Sequence, residues 1–535
     1  MADGRIRGAW LKYDAIVIGA GAGGGIAACV LAEAGKTVLL LERGRQLSFA
    51  DVPRDHLRNH RLSQYGHGTG PDLEGNPRLF NGKRCNPIQG GYNNNASCVG
   101  GGTLVYGMQA WRFHPLDFKM ASTYGVPEGS SLSDWPISYE ELEPYYERAE
   151  WEIGVSGSPP APQMPKRMEY PMPGVPRTTK AKILEEGCRK LGWATQTTPM
   201  LINSVPRDGR DACIQCQHCV GFACPSNAKN GTWNTVIPRA IATGRCTLEA
   251  QTFVSSILKS KGGRVAGVRY RDAAGNEKTV EAEVVVVACG AIETARLLLN
   301  SRIGGDTVGR NLQGHYYATA SGFMPEPIWD GVGPGVSIST LDFNHGNDGV
   351  IGGAMMSDDF IIMPIHFAKS FRPPSVPAWG QAHKDWMRNY TRFAQVGGPV
   401  HEIPSADCRV KISKSVRDKW GVPVASLSGT THPETVRTTK YMIERAKEWL
   451  AASGAGSIYA GTPGLGLSAG QHQAGTCRMG PDPAISAVDL RCRVHGHDNL
   501  FVADSSAHVT NGGFNPVLTI MALAYRTCDG IVGSW

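Results

Sequence analysis

The sequence is short of charge. Only 19% of its 535 residues are Asp, Glu, Lys or Arg, and the net charge of +7 comes from 54 basic and 47 acidic side chains with no dense Lys/Arg block among them. Such a block is the footprint of phosphate tracking, so no nucleic-acid partner is expected. A long unbroken apolar stretch is also missing: Ala15–Ala32 carries no charge, but glycines interrupt it and it opens like a strand, so no membrane span is expected. The opening residues MADGRIRGAWLK contain no apolar run of signal-peptide kind, and the expected compartment is the cytoplasm. No internal repeat or low-complexity tract is visible, so a repeat array is not expected. Of the 14 cysteines, those outside one short run are scattered singly, which suits small core residues in a reducing compartment better than a disulfide scaffold.

Glycine is in excess, with 66 residues, and a chain of this length suggests roughly two to four domains. The first Gly-rich turn is the most informative. In YDAIVIGAGAGGGIAACVLAEAGKTVLLLERG, Gly19, Gly21 and Gly24 make G-x-G-x-x-G directly after the apolar run Ala15–Ile18, and Glu42 closes the next apolar run. The first glycine allows a tight turn, the second lets backbone N–H groups approach a pyrophosphate, and the third lets helix pack on strand; the carboxylate takes ribose hydroxyls. The pattern predicts a dinucleotide site. Residues 282–301, AEVVVVACGAIETARLLLNS, read as a buried strand followed by an amphipathic helix, similar to the strand that closes the flavin domain of FAD enzymes.

Near the carboxyl end, His472 precedes a Gly turn in GQHQAGTCRMG, and Asn515 and Pro516 precede the apolar helix of NGGFNPVLTIMALAYR. Each has an ordinary reading. His472 can be a satisfied structural histidine, and Asn515 with Pro516 can be an N-cap and first helical residue.

CVGGGTLVYGMQAWRF (98–113), VGRNLQGH (308–315), GQHQAGTCRMG and NLFVADSSAHVTNGGFNPVLTIMALA (499–524) together resemble the glucose-methanol-choline (GMC) oxidoreductases, in that family's order. The resemblance implies an α/β chain, α+β overall, in which a Rossmann-like FAD-binding domain built from 1–55, 90–125, 205–315 and 465–535 joins a substrate-binding domain with an antiparallel sheet, 126–204 and 316–464. Residues 56–89, poor in periodicity, would be a lid or insertion loop. His472 resembles the family's catalytic base and Asn515 its second active-site residue; Asn rather than His there resembles pyranose and cholesterol oxidases. An imidazole can take a hydroxyl proton and an amide can hold the oxygen, with hydride passing to flavin N5. Gly101 and Gly102 fall in the flavin-side turn, Asp504 beside the flavin and Val254 against the adenine, while Pro516 follows Asn515. Fungal-type pyranose oxidases link a histidine covalently to the flavin; Val105 stands at that place, so the FAD is expected to be non-covalent.

The run Cys213, Cys216, Cys219 and Cys224, ending in Cys-Pro, is close to a ferredoxin pattern but longer by one residue in its last gap. An iron-sulfur cluster or zinc would use these thiolates; the setting CPSNAKNGTWNTVIPRA resembles metal-free bacterial pyranose oxidases and C-glycoside 3-oxidases, so no metal is expected. The expected substrate is a pyranose sugar or glycoside, with O2 or a quinone as acceptor. Gln313, His315, Tyr316, Tyr317 and the HGNDG loop (345–349) are candidates for sugar contacts.

Overall fold

The computed structural model describes the chain except for residues 1–11, 53–54, 56–68, 86–94, 160–163, 166–167, 359–361 and 468–469. Its first sheet is built on Lys12–Ile18, which pairs in parallel with Val38–Leu41 on one side and with Glu277–Val287 on the other. Cys246–Glu249 extends the sheet beyond Val38–Leu41, and Leu500–Val502 extends it beyond Glu277–Val287, also in parallel. The stretches Ala15–Ile18, Val38–Leu41, Val285–Val287 and Leu500–Val502 are buried on both faces, which is why they read as unbroken apolar runs rather than alternating ones. The register brings Ile18, Leu41, Val287 and Val502 to one edge, so the segments that follow all leave the sheet at the same end. The amino half of Glu277–Val287 pairs instead with Val265–Arg271, which pairs with Phe253–Lys259 in an antiparallel meander.

A second, antiparallel sheet runs in the order Ser339–Thr340, Met356–Asp358, Phe393–Pro399, Tyr317–Phe323, Gly456–Ala460. Ala318, Ala320 and Val396 bury one of its faces against Met442, Ala446 and Trp449 of the helix Pro433–Ala452 and Leu184 of Thr179–Leu191. The Trp449 indole N–H donates to the Leu184 carbonyl, 2.8 Å, so the buried ring leaves no donor unmet. The chain thus has the mixed α/β architecture expected, with a Rossmann-like sheet and a separate antiparallel one.

A third, small sheet joins the hairpin Arg409–Arg417/Pro423–Ser428 to Leu79–Phe80 and Lys83–Arg84. Those two short strands lie in 69–85, the described part of the expected lid; residues 56–68 and 86–89 lie outside the described residues. No described helix is long and apolar enough to cross a membrane.

Candidate active site

The helix Ala22–Glu33 starts where Lys12–Ile18 ends, and no side chain caps it. Its first-turn N–H groups have no intrahelical partner, and its dipole favours negative charge there. The three glycines divide their tasks as their spacing predicts. Gly19 has φ +99° and a Cβ on it would lie 2.4 Å from the Ala288 carbonyl oxygen; a Cβ on Gly24 would lie 1.8 Å from the Gly19 oxygen. Gly21 differs: a Cβ there meets nothing within 4 Å, and the same holds at Gly102 and Gly290. These open glycines border one cleft, lined also by Gly101, Glu42, Val254, Glu293 and Asp504. A groove that backbone approaches closely and side chains leave empty, beside a bare helix N-terminus, fits the pyrophosphate of a dinucleotide.

The acidic residues of the cleft are already engaged. Glu42 accepts hydrogen bonds from the N–H of Ala20 (2.9 Å) and Gly44 (2.8 Å), using two of a carboxylate's roughly four acceptor sites. Burial pushes its pKa up. Asp504, also raised by burial, accepts four: from Gly290 N–H and the Thr294 hydroxyl on one oxygen, and from Ser506 N–H and hydroxyl on the other. It ties the start of the helix Ala291–Asn300 to the turn Ser505–Ala507. Val254 lies on the first meander strand opposite Tyr270. Farther along, burial pushes the Glu293 carboxyl up, but Arg43, Arg296 and Arg78 together hold it well below the usual range.

A second cavity adjoins the first, and Ala22, Ala96, Gly102, Gln473, Ser505 and Ile520 line both. Its other walls include Val105, Gln109, Tyr317, His472, Asn515 and Pro516. His472 has φ +54°, and its carbonyl accepts from the Asn511 amide at 2.7 Å. Its Nδ1 lies 2.8 Å from Nδ1 of His315. Asn515 does not cap the helix Val517–Gly533; the structure places Pro516 at the cap, and the Asn515 amide reaches the Tyr317 hydroxyl, 3.1 Å away on the antiparallel sheet. The cap reading fails because the helix begins one residue later than the Asn-Pro pair suggests.

Of the suggested sugar contacts, only Tyr317 lines this cavity. Gln313 is fully buried with its amide on the Val509 carbonyl, and the Tyr316 hydroxyl donates to backbone of the 464–466 turn. In the HGNDG loop, Asn347 bonds Phe343 and Gly352 carbonyls, and His345 meets Asp117 and Tyr124. His315, buried behind His472, is a residue whose role sequence reasoning missed; so is Asn511.

The cysteine run packs behind Val105. Gly221 N–H donates to the Val105 carbonyl (2.7 Å), and Lys229 donates to the carbonyls of Leu104 (3.3 Å), Phe222 (2.9 Å) and Cys219. Burial raises the thiol pKa of Cys213 to about 11 and that of Cys219 further. Cys213 accepts from Gln215 N–H, and the Cys224 sulfur lies 3.6 Å from the Ser226 hydroxyl oxygen. Among the described residues, the group with ligand-type atoms all within 4.8 Å is Asp117, His345 and His401, not the cysteines. Asp117 is there a buried acceptor for both imidazoles, which hold its carboxyl far below the usual range against the opposing effect of burial.

A Rossmann-like sheet with an open dinucleotide cleft, leading into a cavity that holds an imidazole and an amide, defines a nucleotide-dependent oxidoreductase class. Comparison makes it specific: residues 13–317 and 404–524 match the two parts of the GMC oxidoreductase family, and the chain belongs to that family, whose members are FAD flavoproteins. It is 30% identical over 539 residues to 6'''-hydroxyparomomycin C oxidase of Streptomyces lividus, covering 97% of this chain and 91% of that protein. It is 28% identical over 553 residues to the fructose dehydrogenase large subunit of Gluconobacter japonicus, covering 98% of each. A solved variant of formate oxidase from Aspergillus oryzae RIB40, made to follow FAD modification, shares the fold with a TM-score of 0.66 at 14% identity, covering 100% of this chain and 99% of that one.

Proposed function

We propose that this protein oxidises a secondary hydroxyl of a pyranose sugar or glycoside, at C2 or C3, to the ketone, with FAD held non-covalently and O2 as the final acceptor. The observation that supports the reading is that the cavity lined by His472, Asn515 and Tyr317 adjoins the dinucleotide cleft and shares six lining residues with it. Bound FAD supplies the two-electron acceptor, and its return to the oxidised form by O2 gives H2O2. The cleft around Gly21, Gly102 and Gly290 holds the cofactor, and Val105, a hydrocarbon side chain, offers no atom for a covalent link.

His472 takes the hydroxyl proton, which raises electron density on the carbinol oxygen and favours loss of hydride from carbon. Asn515 holds that oxygen. Its Oδ1 is buried without a partner when Nδ2 faces Tyr317. The two amide atoms are interchangeable in position; with Oδ1 accepting from the Tyr317 hydroxyl, Nδ2 becomes a donor to the substrate oxygen and does not compete with His472 for the proton. The start of Val517–Gly533 lines the same cavity, and its dipole favours negative charge there.

The relatives include 6'''-hydroxyparomomycin C oxidase and a fructose dehydrogenase large subunit, and they favour a carbohydrate substrate over a sterol. A second reading, a dehydrogenase passing electrons to a quinone or cytochrome, is favoured by the dehydrogenase relative and by the cysteine run seated against Val105. Oxygen uptake with a panel of pyranoses and glycosides separates the two: uptake with equal peroxide supports the oxidase, and turnover with quinone alone replaces it. The same chain with His472→Ala should reduce its flavin roughly 10²- to 10⁴-fold more slowly; undiminished reduction removes His472 as the base. Acid precipitation should leave the yellow colour in the supernatant, whereas colour in the pellet means a covalent flavin.

A further inference from the structure

We infer that His315 is a positioning residue that fixes the tautomer of His472 and so decides which of its ring nitrogens can act as the base. The inference rests on the reading of His472 as that base. His315 is buried, and its Nε2 lies 2.9 Å from the Gly512 carbonyl oxygen and 3.1 Å from that of Asn511. Carbonyls only accept, so the proton of His315 sits on Nε2. Burial, the larger influence, pushes the His315 pKa down to about 4, so near neutrality the ring carries no second proton and Nδ1 is a lone pair.

That lone pair is 2.8 Å from Nδ1 of His472. Two nitrogens at this distance need one proton between them, and only His472 can supply it. His472 therefore carries its proton on Nδ1 and keeps the lone pair on Nε2, the atom on the far side of the ring from His315. The rings stand at 83°, so the bond lies along the edge of one imidazole and fixes the plane of the other.

The same short loop fixes the backbone. Asn511 donates through its side chain to the His472 carbonyl while its own carbonyl, with that of Gly512, anchors His315. The pair Asn511–Gly512 thus holds both the left-handed backbone of His472, which a non-glycine residue rarely adopts, and the ring that orients it. A neutral imidazole in this place differs from a carboxylate partner in a useful way. It accepts the Nδ1–H bond without adding a negative charge that would hold the base protonated at neutral pH.

The test uses the FAD-loaded enzyme and three variants. His315→Asn places an amide oxygen near the position of Nδ1 and can still accept from His472; His315→Leu cannot. The expected result is a kcat/KM within about tenfold of the parent for the Asn variant and a fall of roughly 10²-fold or more for the Leu variant, carried by kcat with KM little changed, the size seen when a tautomer-setting partner is lost. FAD content and melting temperature check that both variants are folded. Equal loss in both variants, or a loss carried by KM, would make the role structural and overturn the inference; so would full activity in His315→Leu. His472→Ala is the third arm. If it stays active the base assignment itself falls, whereas an inactive His472→Ala beside an active His315→Leu removes only the role of His315.

Discussion

Gly21 and Gly24 sit three residues apart in one turn, yet alanine should act on them in opposite ways. At Gly21 the backbone has φ −81° and a Cβ meets no atom within 4 Å, so alanine adds no strain. Losing glycine at the helix N-cap costs up to about 1 kcal/mol, and the stiffer unfolded chain returns about 0.4–1 kcal/mol, so folding stability should hardly change. The new methyl instead occupies the space beside the helix N-terminus that the cofactor phosphates need. Overpacking of this kind costs about 1–3 kcal/mol, which corresponds to roughly a five- to 150-fold loss of FAD affinity. At Gly24 the Cβ would lie 1.8 Å from the Gly19 oxygen and 3.2 Å from the Ala288 side chain, so the strand and helix must part. The assay is a pair of measurements on each protein: the melting temperature of the cofactor-free form, and FAD affinity by recovery of flavin absorbance on titration. Gly21→Ala should melt within about 2 °C of the parent and bind FAD weakly; Gly24→Ala should melt lower even without cofactor. Parental FAD affinity in Gly21→Ala would refute the assignment of the cleft.

Acid should destabilise the fold through two buried imidazoles. Burial pushes His315 and His508 down to about 4, whereas unfolded histidines titrate near 6.5, so between those values the unfolded chain binds the extra protons and stability falls as pH drops, by about 2 kcal/mol per histidine from pH 7 to pH 5. His508→Phe, packed against Phe113 and Trp135, should show a urea midpoint less sensitive to pH; an unchanged dependence removes His508 from the account. Asp504→Asn replaces an acceptor of four hydrogen bonds by a group that must turn N–H toward two of the donors, and should lower stability by about 1–3 kcal/mol in denaturant titrations of the apoprotein. Tyr317→Phe removes the partner of the Asn515 amide, about 1 kcal/mol, so kcat/KM should fall roughly fivefold with no change in melting; an unaffected rate would detach Tyr317 from the reacting oxygen.

The dinucleotide cleft is legible in the sequence because Gly19 and Gly24 answer local steric demands at a fixed spacing, while Gly21 between them leaves the cleft open. The flanking strands are legible for the same reason: burial on both faces leaves only apolar residues. His472 and Asn515 are different. Their types are compatible with a core histidine and a helix cap, and only the family resemblance singles them out. What sequence cannot show is that residue 315 meets residue 472 across 157 positions, or that Asn511 holds the His472 carbonyl. These contacts depend on where a strand of the second sheet ends and on a left-handed backbone at a non-glycine residue, neither of which leaves a periodic trace. Gln313 and Tyr316 are plausible sugar contacts by chemistry alone, but their side chains donate to backbone carbonyls, Gln313 in the core and Tyr316 at a half-buried turn. The cysteine run shows the converse, a strong local pattern whose spacing alone does not assign it a role; Cys213, Cys219 and Cys224 are half-buried against the core.

The wall shared by the two cavities has a thermodynamic consequence for the order of assembly. Because Ala22, Gly102, Gln473 and Ser505 border both spaces, a cofactor bound in one would, under the proposed function, form part of the floor for a substrate in the other. Substrate affinity would then depend on cofactor occupancy, and reciprocity requires the converse to the same factor: a bound substrate would tighten the equilibrium binding of FAD.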